Sequence, residues 1–356
     1  MPDSFDCIIV GGGGAGLAAA YSAACQGATV ALLERRPQPG GTTGIAVGSF
    51  TAAGTRWQRR AGIDDNPEDH DEDVSLFADP ELEARNNQPL RRFFLEHAAE
   101  TLHWLQEELR LNYVGPSPEP PNRCPRMHNV VPGAKAYVVR FQLALRRRGA
   151  TVITGAAVTR LLQENGRISG VEFSQDGKQH QLRARRGVVL ATGDYANNPE
   201  MIARYKGEEY REIEGINPHA LGLGHQLAEQ VGASLVNMDI TYGPELRLLP
   251  GSRRPFQQWL PASGVASRCM GWLAERMPGW MINRFIKRLL VTWQHPENSL
   301  FDDGAILINA QGKRFCDETQ WPEREIAIAK QPDKLAYILL DQRLIEHYSA
   351  WPHFIS

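Results

Sequence analysis

The sequence lacks the marks of several protein classes. Its five cysteines (Cys7, Cys25, Cys124, Cys269, Cys316) are odd in number, widely spaced and without a CxxC pair. Neither a disulfide framework nor a zinc site is therefore encoded, and a reducing compartment fits best. No uninterrupted run of about 18 apolar residues occurs, which excludes a membrane-spanning helix. Met1–Asp6 leads straight into a strand with neither a basic n-region nor an apolar h-region, so no secretory leader is expected and a cytoplasmic location is. Charge of one sign is not in excess: 39 basic and 41 acidic residues give −2, and nucleic acid meets no global attraction. No internal repeat is evident. Hydrophobic residues at 42% and charged residues at 22% exclude a disordered or collagen-like chain. At roughly 100–200 residues per domain, 356 residues allow two or three domains with a sizeable core.

Glycine is the informative residue, because several of the 33 fall in short runs. Residues 5–10 (FDCIIV) form an apolar run that reads as a buried strand, followed at once by Gly11-Gly12-Gly13-Gly14-Ala15-Gly16. Small, helix-forming residues continue to Gly27, a C-cap, and Thr29–Leu33 reads as a second strand ending at Glu34. This βαβ unit carries GxGxxG at Gly11, Gly13 and Gly16. The first glycine permits a tight turn, the second lets backbone approach a pyrophosphate, and the third packs helix on strand. The helix N-terminus then offers free N–H groups and the positive end of its dipole. Glu34 stands where a carboxylate accepts hydrogen bonds from ribose hydroxyls, and it would repel the 2′-phosphate of NADP.

Six residues after Glu34 comes a second glycine-hydroxyl cluster, Gly40-Gly41-Thr42-Thr43-Gly44, and far downstream the strand GVVLA (187–191) ends in Thr192-Gly193. With ENGRISGVEF, VVLATGDYANNPEM, GLGHQLAEQVGASLVNM and DDGAILINAQGKRFCDE in that order, the chain resembles the FAD-binding flavoproteins of the fumarate reductase and succinate dehydrogenase superfamily, which includes the 3-ketosteroid dehydrogenases. The resemblance implies an α/β fold: a Rossmann-like FAD domain over 1–240, interrupted by a hairpin-rich layer near 151–184, then a partial α+β cap over 241–356. It also implies the FAD contacts. The first βαβ unit holds the ADP half through Gly11, Gly13, Ala15, Gly16 and Glu34. Gly41, Thr42 and Thr43 run along the pyrophosphate and flavin, backbone near Val158 meets the adenine, and Thr192 and Gly193 complete the site. Members with covalent FAD have a histidine after the glycine pair; here the segment reads TTGIAVGS, and noncovalent FAD follows. The usual ATGG is ATGD, with Asp194, and the usual GDGH is GLGH, with Leu223. The histidine of dicarboxylate-reducing members is absent from DITYGPEL, where Tyr242 is the nearest candidate.

Between these motifs, residues 64–83 hold ten acidic side chains and no Lys or Arg, which reads as a solvated loop and helix face, without the glycine and spacing of a calcium loop. Leu90–Leu111 has the spacing of one amphipathic helix, with Phe93, Phe94 and Trp104 expected in the core. The proline-rich loop 115–133 carries Arg126 and His128; the family places this loop over the catalytic face of the flavin, so the two are candidates for substrate contact, with solvated side chains as the alternative. Ala136–Arg148 reads as a helix, and Asn165-Gly166 and Asp176-Gly177 as hairpin turns. Half of the eight tryptophans lie in 250–300, and 279–293 has the pattern of a basic amphipathic helix. It packs on the cap, covers a bulky substrate, or contacts a membrane surface peripherally.

The family chemistry is hydride transfer at a CH–CH bond next to a carbonyl or carboxylate of a small-molecule substrate, with an electron donor or acceptor that the sequence does not name. Glu318 of GKRFCDE is similar in position to the acid of a proton relay, and Arg324 is the nearest following arginine. The alternatives are a salt bridge from Glu318 to Arg314 and a solvated Arg324 between Glu323 and Glu325. Family members continue past the position of Ser356 to a further flavin-contacting segment with the principal catalytic arginine or tyrosine, so a fragment is expected. A flavin-binding but silent protein and a 3-ketosteroid dehydrogenase-like enzyme on an apolar substrate are the competing expectations.

Overall fold

The computed structural model describes residues 3–249, 259–277 and 296–349; the basic segment 279–293 lies outside them. The described chain packs as two units, residues 3–191 with 259–277, and residues 192–249 with 296–349. The sequence expectation divides the chain at about 240, whereas packing divides it after Ala191 and gives 259–277 to the first unit.

The first unit is built on a six-stranded sheet of order β6-β2-β1-β9-β8-β7. Strands β1 (Ser4–Val10), β2 (Val30–Glu34), β6 (Thr151–Thr154) and the C-terminal half of β9 (Lys178–Leu190) run parallel. Their apolar runs fit burial on both faces: all five residues of β2 are buried, as are Phe5, Ile8, Ile9 and Val10 of β1. Helix α1 (Gly14–Cys25) crosses between β1 and β2 and turns Leu17, Ala20, Tyr21 and Ala24 to the core. Antiparallel strands β7 (Ala157–Glu164) and β8 (Arg167–Gln175) extend the sheet from β9. Their two turns hold Asn165, Gly166, Asp176 and Gly177 at φ of +50° to +76°, the two-positive-φ geometry that Asn-Gly and Asp-Gly favour.

A second, three-stranded sheet has order β3-β5-β4, from β3 (Ser49–Thr51), β4 (Asn112–Ser117) and β5 (Met127–Val131). Between its strands in sequence lie α2 (Arg56–Arg60), α3 (Pro67–Val74), α4 (Pro80–Ala84) and α5 (Gln88–Leu109), and α6 (Lys135–Arg147) follows it. The buried stripe of α5 is Leu95, Ala98, Leu102, Leu105 and Leu109. Phe93 and Phe94 are 61% and 59% exposed, a correction to their expected place in the core. At 3.6 residues per turn they sit about 200° and 100° round the helix from Leu95. Trp104 does pack against the core.

The second unit has two small cores. One gathers Tyr195, Met201 and Ile202; the other gathers Leu300, Phe301, Ala305, Leu307, Leu344 and Tyr348 under the antiparallel pair β10 (Ile306–Ile308) and β11 (Tyr337–Leu339). Among the described residues no helix is long and apolar enough to cross a membrane.

Candidate functional site: a glycine-lined cradle

The end of β1 and the start of α1 are shaped by backbone alone. Gly11 turns the chain at φ +105°, where a side chain would be strained. A Cβ at Gly16 would lie 1.9 Å from the Gly11 carbonyl oxygen, so glycine there is what brings helix onto strand. A Cβ at Gly13 would meet nothing within 4 Å, and Gly13 caps α1 without a side-chain hydrogen bond. The first-turn N–H groups of α1, Ala15 and Gly16 among them, therefore begin at a bare backbone face, with the positive dipole end beside it.

Two other segments close around this face. The Gly40 N–H donates to the Gly12 carbonyl at 2.8 Å, and a Cβ at Gly41 would stand 3.2 Å from the Gly13 Cα. Thr43 Oγ1 accepts from the Gly14 N–H at 3.1 Å, while Thr42 starts the short helical turn Thr42–Ile45. Glu34, 8% exposed at the end of β2, accepts from the Gly12 N–H at 2.7 Å and from the Arg36 N–H at 2.8 Å, one to each oxygen. The Glu34 carbonyl accepts from the Ala156 N–H at 2.9 Å, which ties the start of β7 and its buried Val158 to the same edge.

This arrangement fits a dinucleotide. It has an open glycine backbone at a helix start for the pyrophosphate, a carboxylate with lone pairs remaining at the strand end for a ribose, and a second hydroxyl-bearing loop in contact with the first. The structure thus brings together Gly11, Gly13, Ala15, Gly16, Glu34, Gly41, Thr42, Thr43 and Val158. Gly12, Gly14 and Gly40 also form the cradle although GxGxxG does not require them; a Cβ at Gly12 would press on Glu34 Oε2 at 2.9 Å and one at Gly14 on Thr43 Oγ1 at 2.6 Å. The unbroken run of four glycines was the available signal. Thr192 and Gly193 follow β9 in sequence and belong to the second unit. There Gly193 has φ +79°, and a Cβ at Gly224 would strike Thr192 Oγ1 at 2.1 Å, so the glycine of GLGH is a packing requirement.

Arg126 and His128 are wholly buried, which removes the alternative that they are solvated. Arg126 forks onto Asp65 with two bonds of 2.8 Å, pairs with Asp73 and reaches Asn122 at 2.9 Å. Asp73 in turn takes Arg123, and Asp65 takes Gln58 at 2.6 Å. Burial alone would raise both carboxyls, but these bonds and the charge of Arg126 hold them below the usual range. The expectation of a solvated 64–83 is corrected here: Asp65, His70 and Asp73 are buried because arginines from the 115–133 loop neutralise the acids. His128 Nε2 sits 2.9 Å from Thr55 Oγ1, its ring edge-on to Trp57, and burial pushes its pKa down to about 4.

In the second unit Glu318 accepts from the Leu307 N–H at 2.8 Å and from Arg314 on both oxygens at 3.1 and 2.7 Å. Burial works against its charge, yet these donors hold its carboxyl below the ordinary range. Arg324 is 2% exposed, not solvated. Its Nη1 donates to the Glu318 carbonyl at 2.9 Å, its Nε to Glu325 at 2.9 Å and its Nη2 to Asn298 at 2.8 Å. Glu318 and Arg324 are thus neighbours, joined through backbone rather than through the carboxylate.

The family model described as the FAD binding domain matches residues 6–254. An NADH:fumarate oxidoreductase of Klebsiella pneumoniae (strain 342) is 29% identical over 100% of this chain and 34% of its own length. The open conformation of a flavocytochrome c3 fumarate reductase superposes with a TM-score of 0.73 at 24% identity, covering 97% of this chain and 54% of that one. The 3-ketosteroid-delta4-(5alpha)-dehydrogenase of Rhodococcus jostii RHA1 gives 0.63 at 23% identity, with 97% and 68% covered. At these identities the two structures show a shared fold. The chain spans about a third of the curated relative's length and about half of the flavocytochrome's. The chain belongs to the FAD-binding domain family, with a fumarate oxidoreductase among its relatives, and its cofactor is FAD.

Proposed function

We propose that the chain is the FAD-binding part, with a portion of the cap, of an oxidoreductase that moves a hydride at a carbon–carbon bond next to a carbonyl or carboxylate. The observation that carries this reading is the double cradle, in which Gly11–Gly16 and Gly40–Thr43 meet backbone to backbone beside Glu34. Bound there, FAD supplies the hydride chemistry. The residues of the chain bind and orient it: first-turn amides of α1 for the pyrophosphate, Glu34 for the ribose, Thr42 and Thr43 along the pyrophosphate and flavin, backbone near Val158 for the adenine, and Thr192 with Gly193 on the flavin side. Glu318, its carboxylate paired with Arg314, takes the place of the relay acid that passes a proton toward the substrate, and Arg324 positions it through the Glu318 carbonyl. Arg126 and His128 serve by fixing the 115–133 loop, since their polar groups are engaged inside the protein. A substrate with a C=C bond next to a carboxylate is favoured by the Klebsiella pneumoniae relative, an NADH:fumarate oxidoreductase.

A second reading, an apolar ketosteroid-like substrate, is favoured by one observation: DITYGPEL lacks the dicarboxylate histidine, and its nearest candidate, Tyr242, is 90% exposed. The two readings separate in a dye-linked assay of the FAD-loaded chain extended to the length of the relatives, with fumarate and with a 3-ketosteroid as alternative substrates. Turnover with fumarate supports the first and turnover with the steroid the second; a stoichiometrically flavinated protein inert toward both would be the silent binder. The noncovalent attachment has its own test, because acid precipitation should release all flavin into the supernatant. Fluorescence left on the denatured polypeptide would contradict it.

A further inference from the structure

The helix Gly264–Arg276 of the first unit is inverted relative to the usual amphipathic arrangement, in which the apolar stripe faces the core. Its inward side is small and polar. Ser267 is buried, its Oγ accepts from Arg140 at 3.4 Å, and a Cβ at Gly271 would strike the side chain of Asn112 in β4 at 2.2 Å. The chain just ahead of the helix is tied to α6, where Lys135 Nζ donates to the Leu260 carbonyl. The apolar side faces out: Val265, Trp272 and Leu273 are 64%, 57% and 55% exposed, and Cys269 is exposed with them. At 3.6 residues per turn Val265, Cys269, Trp272, Leu273 and Arg276 fall within about 100° of one another, opposite Ser267 and Gly271. Such a face calls for an apolar surface outside the fold.

Charge selects which surface. Arg276 lies over the Trp272 ring at 4.3 Å and donates to the Trp272 carbonyl at 3.3 Å, so the end of the outer face pairs an indole with a cation. By sequence, residues 268–293 carry Arg268, Arg276, Arg284, Lys287 and Arg288 against Glu275, +4 in a chain whose total is −2, so the remainder is acidic. A second copy on the same face would bring like charges together, and a zwitterionic bilayer offers no net charge. An anionic bilayer answers both the charge and the apolar stripe. Tryptophan and arginine suit the headgroup level, because each has an apolar body and a polar end that stays wet. The helix has 13 residues and is about 20 Å long, too short to span a bilayer and suited to lying in its plane.

We propose that the outer face of this helix lies on an anionic phospholipid surface, with Val265, Trp272 and Leu273 at the acyl boundary and Arg276 at the headgroup phosphates. The inference does not rest on the flavin reading, since none of these residues belongs to the cradle or to the relay.

The test is cosedimentation of the full FAD-loaded chain with vesicles of phosphatidylglycerol and phosphatidylcholine, or of phosphatidylcholine alone, at low and high salt. The chain should bind the anionic vesicles at low salt, and binding should fall severalfold at high salt or on the neutral vesicles. Trp272→Ala leaves the net charge unchanged and should weaken binding about tenfold with the circular dichroism unaltered. Leu273→Ala should act in the same direction, and it decides if Trp272→Ala does not fold. Phe93→Ala, which removes an equally exposed aromatic from α5, should have no effect. Absence of binding at low salt, or binding that Trp272→Ala and Leu273→Ala leave intact, overturns the proposal. A lipid-free dimer that Trp272→Ala dissociates also overturns it, because the face would then belong to a second copy.

Discussion

Two buried arginines, one in each unit, are held in different ways. Arg126 shares two carboxylates, Asp65 and Asp73, and those acids are further bonded by Gln58 and Arg123. Arg324 has a single carboxylate, Glu325, one oxygen of which is buried without a hydrogen-bond partner among the described residues. The first network is closed: its polar groups answer one another, and it holds the 115–133 loop against α3. The second is open, because one buried acceptor in it is left unmet. A strongly paired arginine is therefore not by itself a sign of chemistry; what counts is whether its partners have anything left over.

The largest effect should come from breaking the singly held pair. Glu325→Gln leaves Arg324 as an uncompensated buried charge, which typically costs about 3–5 kcal/mol. Hydrogen exchange should show the loss of protection in β10 and β11, with β1 and β2 unaffected. Equal protection in parent and variant would mean that Arg324 does not depend on Glu325.

Acidification should separate the two regions next. Burial lowers the pKa of His70 and His128 to about 4, and the charge of Arg126 adds to the effect at His70. Unfolded histidine binds its proton near 6.5, so between these values the unfolded state binds more protons and stability falls as pH falls. Their contribution is complete above about pH 6.5 and declines toward pH 4, by about 2 kcal/mol each at pH 5. Glu325, with its carboxyl raised, has the opposite sign and gains stability as pH falls through its folded value. Hydrogen exchange at pH 7 and pH 5, corrected for intrinsic rates, should therefore show the first unit loosening and no parallel loss around the helix Glu323–Ala329. Uniform loosening of both would contradict the assignment.

The smallest effect should come from trimming the doubly held arginine. Asp65→Asn leaves Arg126 with Asp73, so the cost is that of hydrogen bonds to a charged group, about 1.5–3 kcal/mol. Urea denaturation followed in the first unit measures it. A loss as large as that of Glu325→Gln would show that Asp73 does not share the charge.

The two networks also differ in how far the sequence announces them. The cradle is legible because each part has a short-range signature: a glycine run after an apolar strand, an acid at the end of the next strand, a second glycine-hydroxyl cluster six residues on. The hairpins at Asn165-Gly166 and Asp176-Gly177 are legible for the same reason, since two adjacent residues set the backbone. Arg126 and its acids lie more than fifty residues apart, and nothing local tells a buried acid from a solvated one in a run of ten. The only hint is that His70 and Asp73 share a face of α3, being three residues apart. Arg324 is concealed similarly: flanked by acids it reads as surface, and only the pairing with Glu325, Asn298 and the Glu318 carbonyl accounts for its burial. Phe93 and Phe94 show the limit of helical periodicity, which finds the helix but leaves the edge of its apolar face unmarked.

The most direct test of the cradle is the FAD dissociation constant of the parent chain and of Glu34→Ala. The carboxylate has one N–H on each oxygen and lone pairs remaining, which the ribose hydroxyls would take. Its loss should weaken FAD binding by about 1.5–3 kcal/mol, the range for hydrogen bonds to a charged group. Fluorescence titration of the flavin-stripped proteins, with matching circular dichroism, gives both constants. Weakened binding by a folded variant is the predicted result, and unchanged affinity would remove Glu34 from the site and contradict the placement of FAD in this cradle.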